Sequence, residues 1–172
     1  MGQAPVDQPG DETLNDVSER LELLIKLLKF SSLVSRPMQD NVASPNQIGL
    51  NELRVMMGLG GMGEAASHEL AEIMAMHPMN VSRAASAMRA NDWLEERRDP
   101  DNRRRKPLRL TASGWSAYRH LLPDVEGVAN LLMAGIDENE LTVLARLVDQ
   151  MLTQLDQYQG SARSRVSLEG EG

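Results

Sequence analysis

The sequence predicts a mainly α-helical domain that carries one small β-hairpin, and three observations support this fold class. Apolar residues recur at helical spacing through most of the 172 residues. Two short strand-like segments, residues 93–98 and 106–111, flank a cluster of turn formers, Asp99-Pro100-Asp101-Asn102. No segment has the continuous apolar pattern of a strand in a parallel sheet. A helical core with an attached hairpin is therefore expected.

The composition excludes several classes of function. Cysteine is absent, which rules out disulfides, thiolate metal sites, cysteine nucleophiles and thiol redox sensing. The histidines, His68, His77 and His120, are scattered without metal-ligand spacing, so we predict no catalytic residue, no metal and no cofactor. No apolar run approaches the roughly 18 residues of a spanning helix, and the acidic start of the chain is unlike a signal peptide. We expect a cytoplasmic protein with no membrane partner.

The charge is unevenly distributed along the chain. The whole sequence has a net charge of −7, yet residues 80–120 hold ten Lys and Arg against five acidic residues. That window carries +5, and the rest of the chain carries −12. Segregation on this scale indicates a region that binds a polyanion within a scaffold that repels polyanions elsewhere. A solvated run of charge is the alternative interpretation.

A helix-turn-helix is predicted in the middle of the chain. Apolar spacing predicts helices over residues 50–59 and 66–76, and the break at His77-Pro78 starts a further helix that runs to about Asn91. Proline fits the first turn of a helix because its missing N–H would be unpaired there. Two short helices joined by a tight break, with a basic second member, form this motif. The core side of the second helix is predicted to consist of Val81, Ala84 or Ala85, and Met88.

The opposite face of this second helix has the chemistry of a surface that reads DNA. Hydroxyl, amide and guanidinium groups are supplied there, and Asn pairs bidentately with adenine as Arg does with guanine. Three arginines at the hairpin tip suit phosphates or a narrow minor groove. A solvated polar face is the alternative. The candidate DNA-binding residues are Met79, Asn80, Ser82, Arg83 and Ser86 on the helix, and Arg103, Arg104 and Arg105 on the hairpin.

The segment 58–63 matches the glycine spacing GxGxxG but lacks the context of a dinucleotide site. Such a site needs a preceding buried strand and repeated βαβ units, whereas residues 50–57 have helical spacing. We interpret these glycines as a loop between two helices.

Long amphipathic helices are predicted at both ends of the chain. The first runs from Leu14 to about Val34 and is followed by a polar connection bracketed by Pro37 and Pro45. The last begins at a capping box, with Asp at the cap and Glu three residues later. Its apolar residues step by three and four, as in a heptad seam. The seam consists of Leu141, Leu144, Val148, Met151, Leu155 and Tyr158.

Three further features are expected around the hairpin. Pro107 cannot donate a ladder hydrogen bond, so it places its strand at a sheet edge or makes that strand start late. Thr111 or Ser113 is suited to cap the following helix. Pro123 is expected to kink or restart that helix.

Together, these residues resemble the MarR family of bacterial winged helix-turn-helix transcription regulators. The family's wing signature is an Asp, an Arg two residues later, then Leu-Thr and a Gly. In this sequence the Arg is Arg104, the Leu-Thr is Leu110-Thr111, and the Gly is Gly114. Asn102 stands at the Asp position, which departs from the signature.

The resemblance extends beyond the wing. Residues 79–91 match the family's recognition helix, although Asp92 stands where a Gly is usual. About residues 15–158 are covered, and the family's pairing of first and last helices in a dimer agrees with the apolar stripes at both ends of the chain.

The resemblance implies a homodimeric transcription regulator, most often a repressor. Such a protein binds a pseudo-palindromic operator in double-stranded DNA and releases it when a small-molecule effector binds. The implied fold is a winged helix-turn-helix domain flanked by N- and C-terminal dimerisation helices. The predicted ranges are a disordered tail over 1–12, dimerisation helices over 13–36 and 112–158, the winged helix-turn-helix region over 48–111, and a second disordered tail over 159–172.

The effector is not defined by the sequence. If it is an anion, as for many members of the family, its pocket needs a cation outside the DNA-binding window. Arg36 and Arg54, at either end of the connection between the first two helices, are the candidates. Solvent-exposed charges without a ligand are the alternative for both. For the whole chain, the alternative is a helical protein–protein interaction module whose winged helix does not read DNA.

Overall fold

A computed structural model describes residues 18–97 and 105–169, of which residues 159–169 are described as backbone only. The chain divides into two compact units, one ending at Val125 and the other beginning at Glu126. Within the described ranges, no helix combines the length and the hydropathy that crossing a membrane requires. The predicted tail over 1–12 and the hairpin tip at Arg103 and Arg104 lie outside the described residues.

Helix α1 spans Glu19–Met38 and continues into a π-helical turn, Gln39–Ala43. The expectation of a polar connection starting at Pro37 is therefore wrong, because Pro37 lies inside the helix. Val42 and Ala43 are fully buried. Burying these apolar residues favours continued helix and offsets the hydrogen bond that a proline removes.

Helix α2 spans Leu50–Met62, so the predicted loop over the glycine-rich segment is also wrong. Neighbouring side chains pack directly against two of these helical glycines and leave no room for a larger residue. A β-carbon on Gly58 would approach the Met74 side chain to 3.1 Å, and one on Gly60 would overlap the Tyr118 ring. Gly63, with φ +81°, then ends the helix in the left-handed conformation.

The helix-turn-helix is confirmed. Helix α3 spans Ser67–Ile73 and helix α4 spans Pro78–Ala90, with proline in the first turn of α4. In the turn between them Ala75 has φ +46°, and the buried Met76 follows. His77 caps α4, since its Nδ1 accepts from the Met79 N–H at 3.2 Å.

The hairpin belongs to a three-stranded antiparallel sheet. Strands β1, β2 and β3 span Glu64–Ala65, Leu94–Glu96 and Leu108–Leu110, and β3 lies between the other two. The strand after Pro107 thus starts late, as one alternative predicted, and is not at an edge. Strand β1 was not predicted, because two residues are too few to show an alternating pattern.

The hairpin is followed by helix α5, Ala112–Leu132, which runs through Pro123 without ending. The Thr111 hydroxyl caps this helix by accepting from the Gly114 N–H at 2.9 Å, and it donates to the Asp92 carbonyl at 2.6 Å. The predicted cap is therefore present, whereas the predicted restart is not.

Helix α6 spans Glu138–Glu169. The predicted capping box is confirmed, because Asp137 Oδ1 accepts from the Glu140 N–H and Glu140 Oε2 accepts from the Asp137 N–H, both at 2.9 Å. The backbone remains helical through Glu169, where the sequence predicts a disordered tail from residue 159.

Candidate nucleic-acid interface

Helix α4 has one face in the core and one at the surface. Its buried residues are Val81, Ala84, Ala85 and Met88, which confirms the predicted core side. They pack in the same core as Leu53, Leu59 and Leu70, each essentially buried. The core therefore fixes both the position and the rotation of α4, and with them the side chains that face outward.

The outward face of α4 presents the predicted recognition residues. Ser82, Arg83 and Ser86 are exposed, Met79 is 53% exposed, and Asn80 is half-buried. Ser86 Oγ donates to the Ser82 carbonyl at 2.9 Å, which leaves its oxygen as an acceptor toward solvent. Arg83 has no ion pair or hydrogen bond with any residue that the structure describes. A cation and several small polar groups are thus brought together on one rigid helix.

Of the three predicted wing arginines, the structure describes only Arg105. Its Nε donates to Glu69 Oε1 and its Nη2 to Glu69 Oε2, each at 3.1 Å. Glu69 Oε2 also accepts from the Ala66 N–H at 2.8 Å, at the start of α3. Arg105 therefore joins the base of the wing to the first helix of the helix-turn-helix.

These contacts affect the ionisation of Glu69. The hydrogen bonds from Arg105 and from the Ala66 N–H, together with the Arg105 charge, lower the pKa of the Glu69 carboxyl below its usual value near 4.5, against a smaller opposing effect of desolvation. Glu69 is therefore ionised at neutral pH. Sequence reasoning missed this residue because its partner lies 36 positions away.

Further carboxylates pair with cations on the sheet. Arg109 on β3 donates to Glu95 on β2, and Lys106 Nζ lies 3.2 Å from Glu96 Oε1. Arg89 is 4.0 Å from Glu96 as well. These pairs are exposed, so each stabilises the fold only weakly. They reduce the positive potential of the described sheet, which leaves Arg83 and Arg97 as cations of this region without an ion pair among the described residues.

The two effector candidates occupy different environments. Arg54 is half-buried, and its Nη2 donates to the Met74 carbonyl at the end of α3. Its charge therefore supports the C-terminus of a helix. Arg36 is exposed in the last turn of α1. No contact between the two guanidinium groups is seen.

The described residues contain no cluster of three or more His, Asp or Glu side chains suited to a metal ion.

Each of the two compact units exposes an apolar helix face. In the first unit, no residue of α1 is buried, and its exposed apolar residues include Leu21, Leu24, Ile25, Leu28, Phe30 and Leu33. In the second, α6 exposes five of the six predicted seam residues, namely Leu144, Val148, Met151, Leu155 and Tyr158.

The fold defined by these elements is a winged helix-turn-helix. The MarR family model matches residues 48–106, which include the helix-turn-helix and the described strand β2. With the relatives described next, this match confirms the resemblance to the MarR family of transcription regulators that is seen in the sequence.

The relatives are distant in sequence. The chain is 26% identical over 116 residues to the transcriptional repressor MprA of Escherichia coli (strain K12), a match that covers 64% of this chain and 65% of the repressor, just under two thirds of that protein's length. A solved structure of Bordetella bronchiseptica BpsR, whose DNA binding is regulated by 6-hydroxynicotinic acid, has a TM-score of 0.65 at 17% identity and covers 76% of this chain and 98% of BpsR. An organohalide-sensing transcriptional regulator bound to 2,4-dichlorophenol also has a TM-score of 0.65 at 17% identity, over 88% of this chain and 89% of that one. These structures establish the fold.

Proposed function

We propose that this protein is a transcription regulator that binds double-stranded DNA through α4 and the wing. The observation that carries this proposal is the outward face of α4. Arg83, Ser82 and Ser86 are exposed there, and the opposite face of the same helix is locked in the core. A rigid helix with free donors and acceptors fits the major groove, where base edges present matching groups.

The proposed site also accounts for the charge of the chain. A protein with a net charge of −7 binds DNA only where cations are concentrated and face outward. The +5 window contains most of α4 and the strands β2 and β3. Arg103 and Arg104 lie outside the described residues and remain predicted phosphate or minor-groove contacts.

The protein acts as a homodimer in this proposal. Helix α1 exposes at least six large apolar residues, and α6 separately exposes its heptad seam. Large apolar residues exposed along a helix face indicate a partner when they form an extended patch. A second copy is the partner we propose, because two recognition helices spaced about 34 Å apart read successive major grooves of a pseudo-palindromic operator.

The regulatory direction is proposed by comparison. MprA is a transcriptional repressor, and both BpsR and the organohalide-sensing regulator respond to small aromatic molecules. We therefore assign repression, with release of DNA by a small-molecule effector, and an aromatic acid or phenol as the class to test first. Arg36 and Arg54 are the proposed effector contacts.

DNA binding is tested by fluorescence anisotropy with duplexes from the intergenic region beside the gene, followed by footprinting of any bound duplex. We expect one protected pseudo-palindromic site and an affinity whose logarithm falls linearly with the logarithm of salt concentration, by about 0.9 per phosphate contact. Binding to no duplex at any salt concentration would reject the DNA-binding function. It would favour the alternative, a winged helix that contacts protein.

The effector assignment is tested by titrating anionic aromatic acids and phenols against the DNA complex. The variants are Arg36→Ala and Arg54→Gln, the latter chosen because a glutamine removes the charge and keeps N–H donors for the Met74 carbonyl. Arg20→Ala, also on α1, is the matched control for loss of charge. A dose response that is unchanged in both variants excludes these residues, whereas a weaker response in either one, with the control unchanged, supports the assignment.

A further inference from the structure

The ion pair between Glu69 and Arg105 joins the wing to the helix-turn-helix at two points. Each carboxylate oxygen accepts one guanidinium N–H at 3.1 Å, which is the fork geometry that Arg makes and Lys cannot. Both side chains are 32% exposed, so the pair is less screened than the other pairs of the sheet. It is the least exposed of the described ion pairs.

The carboxylate is itself fixed in place. Glu69 stands in the first turn of α3, where its Oε2 also accepts from the Ala66 N–H at 2.8 Å. Ala66 directly follows Ala65, which pairs with Leu108 across β1 and β3. Arg105 is therefore held by a group on α3, outside the two arms of the hairpin.

The described backbone ladder joins the two arms of the hairpin near Arg105. The outermost described backbone hydrogen bond between the two hairpin arms runs from the Arg97 N–H to the Pro107 carbonyl, at 2.8 Å. Arg105 precedes Pro107 by two residues and lies closer to the hairpin tip. The Arg105 side chain adds an attachment from this arm of the hairpin to α3.

We propose that Glu69 is a positioning residue for DNA binding, which holds Arg105 and thereby fixes where the second wing strand leaves the domain. The inference rests on the proposed function, because its consequence is read in the DNA complex. Arg104, a predicted phosphate contact, directly precedes Arg105 in the sequence, so we expect the position of Arg105 to affect that contact. Glu69 acts through Arg105 and does not touch DNA.

The positioning role predicts that loss of Glu69 weakens DNA binding. The alternative, in which Arg105 itself binds DNA and Glu69 only competes for it, predicts the opposite change in DNA affinity. Removing the carboxylate would then release a cation and tighten binding. General electrostatics act in the same direction, since losing any negative charge near the wing favours a polyanion. Weaker binding after loss of Glu69 is therefore diagnostic of positioning.

The experiment compares Glu69→Gln, Arg105→Lys and the parent chain. Glutamine at position 69 keeps an acceptor for the Ala66 N–H and removes the negative charge that pairs with Arg105. Lysine at position 105 keeps the positive charge and cannot make the two parallel hydrogen bonds of a guanidinium. Glu95→Gln is the matched control, because it removes the same charge from an exposed pair on the sheet. DNA affinity is measured by anisotropy, and exchange of the Arg97 amide is measured by NMR on the protein without DNA.

We expect Glu69→Gln and Arg105→Lys to weaken DNA binding about two- to fivefold relative to Glu95→Gln, given the strength of such pairs. Both should also speed exchange of the Arg97 amide, whereas Glu95→Gln should not. DNA binding by Glu69→Gln that equals or exceeds that of Glu95→Gln overturns the inference. If the parent itself does not bind DNA, the proposed function fails, and Arg97 exchange still decides whether Glu69 holds the strand.

Discussion

The backbone carbonyl of Trp93 occupies the space that a β-carbon on residue 114 would need. The same carbonyl accepts from the Thr111 N–H at 3.1 Å, and the Thr111 hydroxyl accepts from the Gly114 N–H. Thr111 and Gly114 thus seat the first turn of α5 directly against the chain that leads into β2. This contact gives a physical reason for the Thr and the following Gly of the wing signature.

Replacing Gly114 by alanine is expected to destabilise the protein. The new β-carbon meets a backbone carbonyl, which cannot move aside without shifting α5 or β2, and overpacking of this kind costs about 1–3 kcal/mol. Urea denaturation measures the change. Gly61→Ala is the control, because nothing lies within 4 Å of a β-carbon there and alanine favours the helix. Equal stability of Gly114→Ala and the parent would contradict the close approach.

In the turn of the helix-turn-helix, a substitution to glycine is expected to stabilise the protein. Ala75 has φ +46°, a conformation that costs a residue with a β-carbon but not glycine. We expect Ala75→Gly to raise the free energy of unfolding by up to about 1 kcal/mol, after the added flexibility of the unfolded chain is subtracted. Ala87→Gly, the same change inside α4, should lower it by about 1 kcal/mol. A lower stability for Ala75→Gly would show that this φ is not strained.

Arg83 is predicted to read a base edge. Loss of a bidentate contact to guanine should reduce discrimination at one operator position by about 1–3 kcal/mol in Arg83→Ala, as measured by anisotropy with single-base operator variants. Arg89→Ala removes the same charge from the last turn of the same helix, where Arg89 lies near Glu96, and serves as control. If Arg83→Ala weakens specific and random DNA equally, the residue contacts phosphate instead.

The heptad seam of α6 is predicted to hold the dimer. A lysine at Val148 would place a charge in an apolar contact, so Val148→Lys should sediment as a monomer and bind the operator more weakly. Gln154→Lys, an exposed position off the seam of the same helix, should remain dimeric. A dimeric Val148→Lys protein in sedimentation equilibrium would place the dimer contact elsewhere.

Glu69 also predicts a dependence of stability on pH. Its pKa is lower in the folded protein than its usual value near 4.5, so the ionised carboxyl stabilises the fold above that pH. This contribution is lost as the pH falls through the lowered pKa. The stability difference between the parent and Glu69→Gln, from urea unfolding, should therefore be largest near pH 7 and shrink below pH 4.5. A difference that stays constant down to acidic pH would exclude this ionic role.

Local patterns predicted the parts of the fold that local interactions determine. The break at His77-Pro78 and the caps at Thr111 and Asp137 depend on nearby residues, and all are present. Features that depend on distant partners were missed or misread. Residues 58–62 are helical because Tyr118 and Met74 pack against the glycines, and β1 is a strand because β3 pairs with it.

In the candidate site, too, local features were predicted from the sequence and contacts between distant residues were not. The recognition face follows from spacing within α4, so Met79, Ser82, Arg83 and Ser86 share the predicted surface. The carboxylates that pair with the wing cations could not be assigned, because a sequence gives the sign of a charge without its neighbour. Arg54 shows this limit, since its bond to the Met74 carbonyl joins residues 20 positions apart.

The glycines of α2 also have a consequence for folding. Gly58, Gly60 and Gly61 each cost about 1 kcal/mol relative to alanine, and a 13-residue helix is marginal in water even without them. This segment is therefore expected to remain unfolded as an isolated peptide. It gains helical order only when Leu70 and Met74 pack on Gly58 and Tyr118 packs on Gly60. Because Tyr118 follows the whole helix-turn-helix and hairpin in sequence, the domain should fold in one cooperative step, and a chain that stops before α5 should lack a stable α2.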